Sequence, residues 1–340
     1  MKTRLGVSLV CDRICEFPGW VHAIEEAGFD VIGFGDSPSL YPETYVQATI
    51  VALNTRKVMF GPRVTTPFTR HPSVTASAIT AVDELSGGRA ILGIGTGDSA
   101  VFNIGERPCT LKALREYIVT LKELFAQGHS VYQGKRLLFS YAKRRIPIYM
   151  AASGPNSLRL AGELCDGVIV GGGVLPELVP PAHKCLREGA EAAGRSIEEL
   201  DIWWLIGASI APSKEQAIDN IKTHLAAQPN QAFRLGIQGK GIPEELIPKI
   251  QTLIARYDFS EHVKPGKERR NVRLVEELGL TDYLASRFTI AGPPEEFARR
   301  TEELASWGAN QLWFTMPLPD KYGFLHAMRD GVIPRLRRAR

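Results

Sequence analysis

The feature that most constrains this chain is a unit that recurs along it: an amphipathic helical stripe, a glycine stop, then a short continuously apolar run. In "FPGWVHAIEEAGFDVIGFGD", Phe17, Trp20, Val21 and Ile24 fall at helical spacing, Gly28 stands at the C-cap, and "DVIGFG" reads as a buried strand. A second unit ends "ALNTRKVMFGPRVTT". A third places Val74, Ala78, Val82 and Leu85 on one apolar face before a Gly87-Gly88 stop and "RAILGIG". Later strands read "IPIYMAAS", "DGVIVGG", "DIWWLIGASIA" and "NQLWFTMP"; with "RLGVSLV" at the start the total is eight. Strands apolar on both faces and separated by helices indicate a parallel sheet. Eight of them predict an α/β protein, a (β/α)8 TIM barrel forming one domain over residues 1–340.

Two stretches break the rhythm. After "LGIGTG" comes a helix carrying Leu111, Leu114, Ile118, Leu121 and Phe125, then a hairpin-like "SVYQGKRLLF". Between strands seven and eight a helical insertion is expected over about residues 228–292, with helices around "EELIPKIQTLIARY" and "NVRLVEELG". Interruptions this long in a compact barrel are usually functional, and barrel function sits at the C-terminal ends of the strands.

Composition excludes several classes. With 44% hydrophobic and 23% charged residues the chain is ordinary globular protein, and a net charge of +4 spread along it makes no case for nucleic acid. The basic "RLRRAR" at the end reads as a solvated helix terminus. No apolar run approaches the ~20 residues of a membrane helix, and no signal-peptide pattern opens the chain, so a cytoplasmic protein without a membrane partner is expected. Five scattered cysteines argue against a disulfide scaffold. Cys11 and Cys15 lack a second Cys/His pair at zinc spacing, so no metal is expected.

Read at the strand ends, the chain offers Gly35 and Asp36 after strand two, "RVTTPFTRHP" after strand three, "GTGD" after strand four, "ASGPNS" after strand five and Gly171 to Gly173 after strand six. Gly93, Gly95 and Gly97 are spaced G-x-G-x-G rather than as a dinucleotide fingerprint. They are expected to let something flat approach the backbone, with Thr96 and Asp98 lining the mouth. His71, ahead of Pro72 at a helix entry, fits a capping role as well as a basic one. Pro155 suits a first helical turn, so Ser153, Gly154 and the adjacent amides would face an anion, with Gly171 and Gly172 leaving room for it. A glycine-lined mouth with one anion cradle suits a phosphate-bearing planar cofactor that carries the chemistry itself.

"GPRVTTPFTRHPSVTASAITAVDELSGGRAILGIGTGDSA", "IPIYMAASGPNSLRLAGELCDGVIVGGG" and "AGFDVIGFGD" resemble the bacterial luciferase-like superfamily, closest to its branch of methylenetetrahydromethanopterin reductase and deazaflavin-dependent oxidoreductases. The resemblance spans nearly the whole chain. It implies a barrel that binds FMN or 8-hydroxy-5-deazaflavin (coenzyme F420). Position by position it implies a non-prolyl cis bond near Arg63–Val64 and Thr65 behind the ring, with Thr96, Gly97 and Asp98 beside it. Ala152, Ser153, Gly154 and Gly171 then fall at the phosphate, and Asp36 at the acidic position after strand two. Asp36 and Asp98 are the catalytic candidates the resemblance implies. Phe68, Tyr257 and His262 are lid candidates. Two departures matter: Ser37 stands where the glucose-6-phosphate dehydrogenase has a catalytic His, and Asp98 where it has a Glu. Glucose-6-phosphate oxidation is therefore not expected, and Asp98 is open to an orienting, turn-capping or proton-transfer role.

The expected function is an FMN-dependent monooxygenase acting on a small organic substrate, with reduced FMN supplied by a separate reductase. The alternatives are a deazaflavin-dependent reductase or dehydrogenase and a non-catalytic flavin-binding protein. A homo-oligomer, dimer or tetramer, is expected in each case.

Overall fold

The computed structural model describes residues 3–338 apart from 12, 39, 142–143, 263–268, 317 and 319. In chain order its strands are β1 (Arg4–Leu9), β2 (Val31–Phe34), β3 (Met59–Pro62), β4 (Leu92–Ile94), β5 (His129–Tyr132), β6 (Lys135–Leu138), β7 (Ile148–Ala152), β8 (Gly167–Val170), β9 (Asp201–Ile210), β10 (Thr289–Gly292) and β11 (Gln311–Thr315). The principal sheet runs β3-β2-β1-β11-β9-β8-β7-β4, every neighbour parallel. Bridges between Phe60 and Ala90 and between Thr65 and Ile94 bring its two end strands together. This is the expected eight-stranded TIM barrel. The strand unforeseen from sequence is β10, which pairs with the outer part of β9 at Gly207 to Ile210. β5 and β6 form the expected antiparallel hairpin.

Glycine makes the closure possible. A Cβ at Gly61 would lie 2.0 Å from the Ile91 carbonyl oxygen, and one at Gly93 2.0 Å from that of Pro62. The first glycine of "GIGTGD" therefore serves the barrel wall, whereas Gly97 takes a φ of +102° as the chain turns.

Inside the barrel, Val31, Ile91, Tyr149, Ile169, Trp203, Leu205 and Trp313 pack as one cluster, with the two tryptophan rings 5.5 Å apart. They fill the interior as side-chain layers do in this architecture. The surrounding helices bury a second, larger core. The helix Phe17–Ala27 turns Phe17, Val21 and Ile24 inward, and Gly28 ends it with a φ of +92°. The helix Pro72–Ser86 departs from the expected face: Thr75, Ala76, Ile79 and Val82 are buried, while Val74 and Leu85 are 54% and 49% exposed. Small and β-branched residues fit the narrow space against the neighbouring helices, so the more conspicuous stripe is left outside.

The insertion begins earlier than position 228. The helix Lys222–Phe233 runs through Pro229, and the helices Ile247–Arg256, Arg270–Glu277 and Thr281–Phe288 follow before β10. Leu225, Phe233, Ile250, Leu253, Leu284 and Phe288 give these helices a core of their own. Residues 263–268 of the expected insertion, and the last two of "RLRRAR", lie outside the described residues.

Candidate functional site

A cavity of about 530 Å³ opens at the C-terminal ends of the barrel strands beneath the insertion. One side of it is nearly bare backbone: Gly95 and Gly97 after β4, Ser153 and Gly154 after β7, and Gly171 after β8. A Cβ at Gly95 would sit 3.1 Å from Val64 Cγ2, and one at Gly171 2.8 Å from Ser153 Oγ. Side chains there would narrow a slot that a flat group could occupy. The peptide bond Arg63–Val64 is cis, as the resemblance implied.

At one end of this wall the helix Pro155–Leu164 begins, with Gly154 as its N-cap and Pro155 in its first turn. Ser157 Oγ donates to the Gly154 carbonyl (2.9 Å) and accepts from its amide (3.2 Å), which shapes the entry. Amides of a first helical turn have no partner within the helix and form the positive end of its dipole. Lys240 stands against them: a Cβ at Gly154 would lie 3.0 Å from Lys240 Cε. Its ammonium donates to the Ala232 carbonyl, and burial, with Arg287 close by, pushes its pKa down to about 8. Arg287, 1% exposed, donates to the carbonyls of Gly172, Lys240 and Gly241 and so fastens the end of β8 to the loop carrying Lys240. Helix amides, a serine, glycines without side chains and an ammonium form a donor set that fits a phosphate.

The acidic candidates are both engaged. Asp36, buried after β2, accepts from Arg70 at 2.5 Å, and Arg70 also reaches Glu43 at 2.7 Å. Asp98 is ion-paired with Arg234 of the insertion. It stands at the N-cap position of the helix Ser99–Phe102 yet makes no side-chain cap bond, so the capping role is corrected to an ion pair. Ser37 Oγ and Ser99 Oγ are 2.8 Å apart, which joins the ends of β2 and β4. His71 caps its helix through the Ser73 amide and also meets Ser73 Oγ at 2.7 Å. A structural role accounts for it.

The structure brings Asp36, Arg63, Val64, Thr96, Gly97, Asp98, Ser153, Gly154, Gly171 and His262 to the cavity wall. Thr65, Ala152 and Gly172 are not on it. Thr65 is fully buried, and strand alternation turns Ala151 rather than Ala152 to the cavity. Gly172 instead offers its carbonyl to Arg287. Phe68 is 44% exposed and away from the cavity. Tyr257 lies behind the wall, its hydroxyl 2.8 Å from His262 Nδ1. Arg70, His224, Arg234, Lys240 and Arg287 were not anticipated. Arg70 adjoins His71 in the segment after strand three and the others stand singly, and no spacing rule connects any of them with the strand end it reaches.

The chain matches luciferase-like monooxygenases over residues 4–311. It belongs to the luciferase-like monooxygenase family. Within that family it is 33% identical over 353 residues to the 5,10-methylenetetrahydromethanopterin reductase of Archaeoglobus fulgidus, covering 98% of this chain and 100% of that one. It is 29% identical to the F420-dependent glucose-6-phosphate dehydrogenase of Nakamurella multipartita, over 93% and 90% of the two chains. The solved coenzyme F420-dependent tetrahydromethanopterin reductase from Methanopyrus kandleri superposes with a TM-score of 0.78 at 28% identity, covering 99% and 100%. The protein is accordingly a flavin- or deazaflavin-type oxidoreductase of the luciferase-like barrel kind.

Proposed function

We propose that this chain is a deazaflavin-dependent oxidoreductase that transfers hydride to or from a small organic substrate. The observation that carries this reading is its end-to-end likeness, at about 30% identity, to proteins whose names specify coenzyme F420 or tetrahydromethanopterin chemistry. The strand-end residues alone serve FMN and deazaflavin equally well. The likeness favours hydride transfer over the monooxygenation first expected, and in this reading a separate flavin reductase has no place.

The cavity fits such a cofactor. Ser153, the N-terminus of helix Pro155–Leu164 and Lys240 would hold its phosphate, Val64 would support one face of the ring, and Gly95 and Gly97 would admit it. Bound there, a deazaflavin supplies hydride chemistry. The protein's own part is positioning and exclusion of water: Arg234 and Arg287 tie the insertion over the mouth. Glucose 6-phosphate is not the proposed substrate, because Ser37, engaged with Ser99, occupies the position of that dehydrogenase's His.

The test is titration of the purified protein with coenzyme F420 and with FMN. F420 should bind about tenfold tighter or better, and reduced FMN should support no oxygen uptake. Tighter FMN binding with oxygen consumption would restore the monooxygenase reading.

A homo-oligomer belongs to the same proposal. Val46 and Leu53 on the helix Thr44–Asn54, with Val74 and Leu85 on the helix beside it, expose apolar surface that a second copy would cover. Light scattering on Leu53→Glu and Leu85→Glu should show a shift to monomer.

A further inference from the structure

One register row crosses four adjacent strands at the barrel mouth. Gly33 on β2 pairs with Ser8 on β1, Ser8 with Thr315 on β11, and Thr315 with Gly207 on β9. Over each glycine at the ends of the row a basic side chain is laid. A Cβ at Gly33 would lie 2.6 Å from Ser8 Oγ and 3.0 Å from Arg63 Cβ; one at Gly207 would lie 2.7 Å from His224 Nε2. Ser8, Arg63, His224 and Thr315 all line the cavity. They occupy the side away from β4, β7 and β8, whose ends form the glycine wall. Arg63 and Val64 divide the two: Val64 Cγ2 lies toward Gly95 while Arg63 Cβ lies toward Gly33.

This row is chemically incomplete. Ser8 Oγ, Thr315 Oγ1, Arg63 Nε and His224 Nε2 are buried and have no hydrogen-bond partner. Among the described residues no carboxylate pairs with Arg63, which is partly buried at the cavity wall with its Nε shut off from solvent. Burial pushes its pKa down only to about 10, so it stays cationic at neutral pH. His224 is held neutral, its pKa pushed down to about 4 by burial first and by Arg63 second. Burying an unpaired charge costs several kcal/mol, and natural interiors rarely leave one without a partner.

We propose that Ser8, Arg63, His224 and Thr315 form the substrate subsite, and that the substrate presents a carboxylate to it. One fixed positive charge balances a monoanion. A guanidinium fork matches a planar carboxylate bidentately, and the two hydroxyls and the imidazole can complete its coordination. The proposal rests on the oxidoreductase reading only in assigning the glycine side of the cavity to the cofactor.

The test is ligand-detected NMR on the full chain, with acetate and benzoate against acetamide and benzamide, with and without coenzyme F420. The carboxylates should bind about tenfold tighter than the amides. Arg63→Met should remove that preference while F420 affinity changes less than about threefold, and Arg63→Lys should keep part of it. Equal binding of amide and carboxylate, undiminished benzoate binding in Arg63→Met, or a parallel loss of F420 affinity would each overturn the proposal. If Arg63→Met does not fold, the pair Ser8→Ala and Thr315→Val decides, since an unchanged carboxylate preference there overturns it too. A wild-type protein that prefers carboxylates but binds neither F420 nor FMN would refute the cofactor reading and leave the anion subsite standing.

Discussion

Arg234, carried by the insertion, is ion-paired with Asp98 at the end of β4. The guanidinium also lies over two rings, 4.2 Å from the centroid of Phe102 and 5.0 Å from that of Phe259. Barrel and insertion therefore meet at a cation held by charge on one side and aromatic faces on the others. Arg234→Met should destabilise the protein by about 1–3 kcal/mol, because it leaves Asp98 half-buried without its partner. Urea unfolding checks the magnitude, and amide exchange should speed up in the helix Lys222–Phe233. No change in either would show that the pair is incidental.

The same pair bears on what Asp98 does. A carboxylate engaged by a guanidinium serves as an anchor, so Asp98→Asn should lower turnover by less than about tenfold, short of the 10²–10⁴-fold expected on losing a general acid or base. A hundredfold loss at unchanged cofactor affinity would assign Asp98 a proton-transfer role instead.

Two glycines two residues apart on the same strand end, Gly93 and Gly95, should fail differently. Gly93→Ala drives a methyl to 2.0 Å from the Pro62 carbonyl oxygen, a backbone atom that cannot step aside. The expected cost is about 3 kcal/mol of stability. Gly95→Ala meets only Val64 Cγ2 at 3.1 Å and Ala151 Cβ at 3.6 Å, so the fold should lose less than about 1 kcal/mol. Its effect should fall on F420 affinity, about tenfold weaker, and Gly95→Val should abolish binding. Denaturation and fluorescence titration on the same samples separate the two outcomes.

Gly154→Asp tests the phosphate cradle. The new Cβ would meet Lys240 Cε at 3.0 Å, the movable end of a long side chain, so folding should survive. The added carboxylate would occupy the anion site, and cofactor affinity should drop about 100-fold or more. Unchanged affinity in a folded variant would place the phosphate elsewhere.

Acid should destabilise the native state through buried histidine. Burial lowers the pKa of His224 to about 4 and also lowers those of His183 and His262. In the unfolded chain a histidine takes up its proton near pH 6.5. Between pH 6.5 and 4 the unfolded state therefore binds more protons than the folded one, and stability falls as pH falls through that window. His224 alone should account for up to about 3 kcal/mol of the loss. His224→Gln should flatten the pH dependence of urea unfolding. An unaltered slope would mean that His224 is accessible to protons in the native state.

The barrel was legible because its information is local. Apolar runs, glycine stops and helical stripes such as Phe17, Val21 and Ile24 repeat within windows of about twenty residues, and the strand ends follow from them. The glycine wall and the entry at Pro155 were legible for the same reason, since a missing side chain or a proline at a first turn acts on its own neighbourhood. Face selection was less so. The helix Pro72–Ser86 turns Thr75, Ala76 and Ile79 inward, and the space against its neighbours chose between two stripes that periodicity alone scores alike. What tertiary structure alone decided are the partnerships across the mouth: Arg234 with Asp98, Arg70 with Asp36, Arg287 with the carbonyl of Gly172, and the meeting of Ser8, Arg63, His224 and Thr315. These residues stand up to about 300 positions apart in the chain, and long-range contacts leave no spacing signal in a single sequence. Closing the barrel brings distant strand ends within a few ångströms of one another, and the polar site exists only once that closure has occurred.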